Sequence, residues 1–477
     1  MWAKIVAVVA CLLLALGAGL FVFAARHPAI APIAPPAAAS FDPALVKRGA
    51  ALAAIGDCAT CHTAPGGAAF AGGVGVVTPF GTIFSTNISP DAETGIGTWS
   101  EAAFRRAMRR GVRRDGALLY PAFPYDHFTL VSDDDNRALY AFLMTRPAVR
   151  NVAPANELQF PFNHRAIVAG WNLLFLRSRP RSEPRSDTAT SGDPSVARGR
   201  YLVEGLGHCA ACHTPRNALG AEKSGAGFGG ATIDGWTAYA LNTRSTAVVP
   251  WTADALYQYL RNGFEAQHGT ARGPMLDVIA NLRAAPDDDV RAIADYVAAQ
   301  IGKPTRRSEQ IQLTERAGQP PARQEADIQA QRGTLTAATS ADSQAYRGAP
   351  GAALDGGAAD EGAAIYAAAC ADCHQGPRAM PYGGIDLGLS SAVTGPTADN
   401  LVHIVLHGIP AAGATRGPIM PGFADVLDDN QVGALVRYLR AAFTGKQTWT
   451  GIDTAIHAAR SAQHTAAVSS PERQAGQ

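Results

Sequence analysis

The sequence predicts an all-α chain of three like units in tandem behind one N-terminal apolar helix. Three observations carry that reading. The pattern CxxCH occurs at 58–62 (CATCH), 209–213 (CAACH) and 370–374 (CADCH). An amphipathic segment with a glycine precedes each: VKRGAALAAIGD with Gly49, VARGRYLVEGLG with Gly199, DEGAAIYAAACA with Gly362. Well downstream of each comes an acidic turn and an apolar segment, with Phe142, Tyr296 and Tyr438 in matching places.

Length and composition set the outer bounds. At 477 residues the chain suits two to four domains. Hydrophobic residues make up 47% and charged ones 17%, enough to build cores. A formal net charge of +1 argues against a general nucleic-acid binder, which needs a basic excess. With 49 Gly and 31 Pro, long loops are expected between helices.

The chain begins MWAK and continues with 21 uncharged residues, Ile5 to Ala25, before Arg26 and His27. As a helix that run is about 31 Å long, close to one bilayer core. The run is long for a signal peptide, and FVFAARH is a poor cleavage site. An uncleaved anchor over 1–27 is therefore favoured over a cleaved export signal. Either way, everything after about residue 27 is exported. Cys11 sits inside the run, and the apolar stretch continues past it, unlike a lipoprotein site.

The six other cysteines form the pairs Cys58/Cys61, Cys209/Cys212 and Cys370/Cys373, each followed at once by His62, His213 or His374. This is the attachment pattern of c-type haem. Two thiols three positions apart on a helical turn can each add to one vinyl group of a porphyrin. The adjacent histidine then supplies the proximal imidazole to iron. CxxC alone also fits a zinc half-site or a redox pair, but neither accounts for a histidine after every pair. Three covalent haem c groups are expected.

Each segment after the motifs begins with a helix-start signal: SDDDNRALYAFLM, PDDDVRAIADYVAA and LDDNQVGALVRYLR. A small residue on one helix lets a second helix bearing an aromatic cross it closely. The order glycine helix, CxxCH, aromatic helix resembles a class I cytochrome c domain. That resemblance divides the chain into 42–176 (with a C-terminal extension), 196–302 and 358–445. The Pro-rich stretch 177–195 reads as a linker and 303–357 as a flexible one. Residues 446–477 read as a disordered tail.

The sixth iron ligand of an electron carrier is commonly a methionine from the loop before the last helix. In the second unit ARGPMLDVIANL offers Met275, with His268 as a rival. In the third RGPIMPGFADVL offers Met420, with Met380 a poorer choice because it lies only six residues after His374. The first unit has LYPAFPYDHF in that place, with Phe123 where methionine would stand. Phe cannot bind iron. His127 is the first candidate, an open iron the second, and Met108 or Met144 the third, although both methionines lie on expected helices.

The stretches FSTNISPDAETGIGTWSEAAFRRAMRRGVRRDGALLYPAFPY and FPFNHRAIVAGWNLLF, with GHCAACHTPRN and GPM, resemble the tri-haem cytochrome c subunits of membrane-bound bacterial dehydrogenases. Those include the alcohol dehydrogenase and gluconate 2-dehydrogenase types. The likeness is strong over 42–303 and holds in outline over 357–443. In the alcohol dehydrogenase type the loop reads YPAMPY. YPAFPYDHF is more similar to cytochrome partners of periplasmic molybdenum hydroxylases, such as nicotinate- or aldehyde-oxidising enzymes. The resemblance implies an electron-transfer subunit, not an enzyme in itself. It would pass electrons from a catalytic subunit of molybdenum, flavin or quinone type to ubiquinone or a terminal oxidase. It implies haem domains on the periplasmic side of a bacterial inner membrane. Two rivals stay open: a haem enzyme acting on a small ligand such as peroxide at an open first haem, and a stand-alone carrier to an oxidase.

Overall fold

The computed structural model describes residues 25–176, 192–302, 358–374, 384–409 and 420–468, together with 2, 4–6, 19, 309 and 311–314. Most of the N-terminal apolar run, residues 177–191 of the first linker, most of 303–357, Met380 and 469–477 lie outside the described residues. Among the described residues no helix is long and apolar enough to cross a membrane.

In chain order the first elements are α1 (Pro43–Ile55), α2 (Cys58–His62), strands β1 (Gly75–Thr78) and β2 (Gly81–Phe84), α3 (Glu101–Arg110) and α4 (Tyr125–Phe128). There follow α5 (Asp133–Met144), β3 (Glu157–Leu158), α6 (Ile167–Phe175) and α7 (Pro194–Tyr201). A π turn over Leu202–Leu206 leads to α8 (Ala210–His213), β4 (Ala231–Ile233), β5 (Trp236–Ala238) and α9 (Ala253–Asn262). Next are β6 (Phe264–Glu265), β7 (Gly269–Thr270), α10 (Met275–Leu282) and α11 (Asp287–Ile301). The last helices are α12 (Ala358–Ala369), α13 (Ala371–His374), α14 (Ser391–Thr394), α15 (Asp399–His407), α16 (Asp429–Thr444) and α17 (Ile452–Val468). The fold is thus rich in helix but not strictly all-α, the class the sequence predicts. Among the described residues three short antiparallel ladders occur: β1–β2–β3, β4–β5 and β6–β7. Glycines make them possible. Gly81 turns β1 into β2 at φ +120°, a conformation closed to other residues, and lies flat against the Glu157 backbone of β3.

The helix starts follow the local chemistry. Ser132 accepts the Asp135 N–H at the head of α5, where Asp133 to Asp135 meet the positive end of the helix dipole. Asp428 and Gln431 form a reciprocal capping box at α16.

Helix crossing is what recurs. A Cβ on Gly49 would overlap the Ala138 carbonyl oxygen and stand 2.7 Å from Phe142 Cβ, so α1 and α5 touch backbone to backbone. Gly199 meets Ala292 and Tyr296 in the same way, and Gly362 meets Ala434 and Tyr438, again with 2.7 Å to the aromatic Cβ. Hydrogen is the only side chain these three contacts admit.

Two compact units result. The first comprises residues up to 211, 216–227 and 280–296; the second comprises 212–215, 228–279 and 297 onward. The sequence reading differs here, because it keeps Cys209 and Cys212 together in one unit, 196–302. The division instead falls inside the second motif, with Cys209 counted in the first unit and Cys212 and His213 in the second. The two flanks of residue 211 make different contacts. Leu206 belongs to the core of the first unit, whereas His213 bonds the Tyr239 carbonyl in the second.

In the first unit, Leu52, Phe104, Phe128, Val131, Leu139 and Phe142 form a core that also takes in Met108, Met144 and Leu206. Tyr201 donates from its hydroxyl to Asp135 at 2.6 Å, and Arg48 pairs with the same carboxylate at 2.6 Å. Leu206 and Tyr201 therefore tie the segment leading to the second motif onto the first core. In the second unit, Tyr366, Leu401, Leu406, Val432, Leu435 and Leu439 pack with Trp449, Ile452 and Ile456. This corrects the expectation of a disordered tail from 446. Ile452, Ile456 and Ala459 recur at helical spacing and are buried, which gives α17 an apolar stripe and a core to join.

Gly49→Ala is expected to destabilise the first unit by about 2 kcal/mol in denaturant unfolding, by overpacking. The control Gly170→Ala on α6 has open space at its Cβ, so it is expected to be neutral or stabilising by about 0.5 kcal/mol. A second expectation concerns pH. His208 is pulled down to about 4, by burial first and by His127 second. The unfolded chain therefore binds a proton near the ordinary histidine value while the folded one does not. Stability should fall as pH drops from about 6.5 towards about 4. His208→Phe should flatten that part of the pH profile in thermal melts; an unchanged profile would show that His208 is not the group responsible.

Candidate functional site

Each CxxCH lies at a short helical turn, and each histidine is fixed through its Nδ1. His62 Nδ1–H donates to the Thr86 carbonyl at 2.6 Å. His213 Nδ1–H donates to the Tyr239 carbonyl at 2.7 Å, and His374 Nδ1–H to the Ile385 carbonyl at 3.0 Å. A carbonyl can only accept, so the proton must sit on Nδ1 and the lone pair on Nε2. That is the tautomer an iron ligand needs. Burial pushes all three imidazoles below the ordinary histidine value, and the carbonyls work against it. The rings are therefore neutral at pH 7.

The small ladders explain where two of those carbonyls come from. Thr86 follows β2 and Tyr239 follows β5, so each hairpin carries its carbonyl back to the motif. Glycines hold the main chain beside it. Gly72, at φ +76°, donates its N–H to the His62 carbonyl at 2.8 Å, and Gly230, at φ +85°, does the same for His213 at 2.8 Å. In the third motif Gly384 packs against the Cys373 carbonyl, just before Ile385. Sequence reasoning missed these acceptors, although the glycines after each motif mark where the chain returns.

All six motif cysteines are free of disulfides. Their surroundings are not alike. Cys58, Cys209 and Cys212 are half-buried, Cys370 is buried, and Cys61 and Cys373 are exposed. In the first and third motifs the second thiol thus faces outward, whereas Cys212 in the second motif is covered to about the same degree as Cys209. The Cys58 thiol is pushed up to about 12 by burial, then by the nearby Asp57 and Cys61 charges. Cys370 rises to about 11 by burial and then Cys373. A redox pair of the thioredoxin kind needs a lowered thiol pKa, the opposite of this. Among the described residues no group of three or more His, Cys, Asp or Glu gathers to hold a metal ion, so a zinc half-site finds no second half there. A pair of thiols and an imidazole that keeps its lone pair on Nε2 fit covalent haem.

Met275 opens α10 two residues after Gly273, whose φ of +56° and contact with the Trp236 ring leave no room for a side chain. The rival His268 is occupied. Its Nδ1 bonds Glu265 at 2.6 Å, its Nε2 donates to the Val249 carbonyl at 2.9 Å, and its ring stacks on Trp251 at 3.5 Å. Met420 pairs its backbone with Ile409 through two hydrogen bonds, of 2.8 and 2.9 Å, at the end of α15. In the same compact unit Arg272 donates to the Gly408 carbonyl at 2.9 Å, so the chain segments bearing the two methionines are linked.

The first unit differs. Phe123 packs on the core beside Tyr125 and Phe128. His127 has both ring nitrogens engaged, Nδ1 with the Glu204 carbonyl at 2.9 Å and Nε2 with Glu222 at 2.7 Å. Burial pulls its pKa down, but Glu222 and Asp126 outweigh that and leave it above the ordinary value. Met108 and Met144 are core side chains, 6% and 3% exposed.

Paired thiols followed by an imidazole locked as the Nδ1–H tautomer define a c-type cytochrome. Residues 357–439 match the family model described as cytochrome C oxidase, cbb3-type, subunit III. The chain is 43% identical over 427 residues to a nicotinate dehydrogenase subunit of Pseudomonas putida, covering 89% of this chain and 32% of that protein. It therefore spans about a third of that relative's length. It is 37% identical over 435 residues to the gluconate 2-dehydrogenase cytochrome c subunit of Pantoea cypripedii, covering 86% of this chain and 89% of the relative. It is 36% identical over 420 residues to the cytochrome c subunit of the quinone alcohol dehydrogenase of Gluconobacter oxydans, covering 84% and 78%. The chain belongs to the family of cytochrome c subunits of bacterial dehydrogenases, which are electron-transfer subunits rather than catalytic ones.

Proposed function

We propose that the chain holds three haem c groups in three tandem cytochrome c domains and relays electrons from a dehydrogenase catalytic subunit to ubiquinone or a terminal oxidase. It does so on the periplasmic side of a bacterial inner membrane, with the run before Ala25 as anchor. The observation that carries this reading is the threefold recurrence of a thiol pair followed by a histidine with its Nδ1 tied to a backbone carbonyl. When bound, haem supplies reversible one-electron chemistry. The chain supplies the rest. Cys58/Cys61, Cys209/Cys212 and Cys370/Cys373 hold the porphyrins, and His62, His213 and His374 present Nε2. Met275 and Met420 offer thioether sulfur, which favours a high potential. The loop YPAFPYDHF and the similarity to the nicotinate dehydrogenase subunit favour a molybdenum-type partner over a flavin or quinone one.

A second reading concerns the first haem. Both nitrogens of His127 are already hydrogen-bonded, and Phe123 fills the methionine place, which favours a five-coordinate iron open to a small ligand. His127 would have to leave Glu222 to serve as a ligand. Carbon monoxide added to the reduced protein should then shift the spectrum of one haem in three; no shift would make all three six-coordinate.

Affinity purification of the full chain from detergent-solubilised membranes should bring down a stoichiometric dehydrogenase subunit, and its substrate should reduce the c-type haem band. Recovery without any molybdenum, flavin or quinone subunit would contradict the relay. Met275→Leu and Met420→Leu should each lower one midpoint potential and leave the other two unchanged in a redox titration.

A further inference from the structure

The helix α6, IVAGWNLLF, carries no charged residue. Its inner side is accounted for: Val168 and Ala169 are buried, and Asn172 accepts the Tyr125 hydroxyl at 2.7 Å. Its outer side is not. At 100° per residue, Leu173, Gly170, Leu174 and Ile167 fall within an arc of about 120°. Leu173 is 52% exposed, Leu174 67% and Ile167 37%, and Phe160, just upstream, is 79% exposed. A soluble protein seldom leaves so many large apolar side chains together on one short helix without a partner.

Two observations say what covers them. The cluster under α6, formed by Val112, Leu118, Val168 and Ala169, also takes in Ala25. Ala25 is the last residue of the uncharged N-terminal run, so that run joins the folded body at the base of α6. The sequence supplies basic residues at both of these places. Arg26 is exposed beside Ala25, and Arg177, Arg179 and Arg181 follow α6 in sequence. An uncharged helix face, with Arg26 exposed beside the Ala25 that packs under it and further arginines next in the sequence, suits the boundary between headgroups and acyl chains of an anionic membrane.

We propose that Ile167, Leu173 and Leu174 of α6, with Phe160, insert into the outer surface of the membrane as a second contact beside the N-terminal run. The inference rests on the membrane-bound reading given above. It adds that the first compact unit lies with α6 against the lipid and does not hang freely from its anchor.

The test uses the full haem-loaded chain in vesicles of phosphatidylethanolamine and phosphatidylglycerol. Cys11→Ser removes the free thiol, and Leu174→Cys carries a nitroxide spin label; a second variant carries it at Val77, which is 74% exposed. In vesicles, the label at 174 should be at least about tenfold less accessible to a water-soluble nickel relaxant than the label at 77, while oxygen, which partitions into lipid, still reaches it. Equal nickel access at 174 and 77 on vesicles that float with the protein overturns the inference and leaves the anchor standing. Protection from both nickel and oxygen also overturns it, because then protein, either a partner subunit or the N-terminal run, covers the face. Failure of the chain to float with the vesicles overturns the membrane reading itself. An unchanged c-type absorption spectrum shows that both labelled variants are folded.

Discussion

A single hydrogen bond, from a histidine Nδ1–H to a backbone carbonyl, governs what each CxxCH in this chain can do. Without it the imidazole could place its proton on either nitrogen and rotate about its side-chain bonds. With it, only Nε2 is left as a donor of electrons, and the ring plane is held. The acceptors Thr86, Tyr239 and Ile385 lie 24, 26 and 11 residues beyond their histidines. Each motif histidine is therefore held by one oxygen atom from a later stretch of the chain.

That return requires a stable base, which the glycine crossings supply. Gly49, Gly199 and Gly362 let two helix backbones touch, and the motif follows directly from the first helix of each pair. In the second compact unit the hairpin after the second motif has a further part. Trp236 lies over Gly273, two residues before Met275, and stacks on His403 at 4.5 Å. Asn400 bonds both the N–H and the carbonyl of neighbouring Thr237. The structure around Met275 is thus braced by the helix that leads to Met420.

Much of this was legible in the sequence. The motifs, the three glycines, the three aromatics and the acidic helix starts are local signals, and each depends on a residue type that nothing else replaces. The hairpins were not legible. β1 to β5 are two to four residues long, and their pairing rests on glycines at positive φ rather than on an alternating apolar pattern. The division of the chain after residue 211, between Cys209 and Cys212, was equally hidden, because it depends on distant contacts such as that of His213 with Tyr239. The setting of His127 escaped for another reason. Its partners Glu204 and Glu222 lie 77 and 95 residues away, beyond the reach of any local pattern. The helix Ile452–Val468 was obscured by an Ala- and Ser-rich composition, because its few apolar residues count only once a core is there to receive them.

The central claim is that all three motifs carry a porphyrin. The most direct measurement is the intact mass of the denatured, exported chain, read together with alkylation of any remaining thiols. The account predicts a mass greater than the polypeptide by three haems, with no motif cysteine open to alkylation. A mass greater by two or fewer, or an alkylated cysteine in any CxxCH, would contradict it.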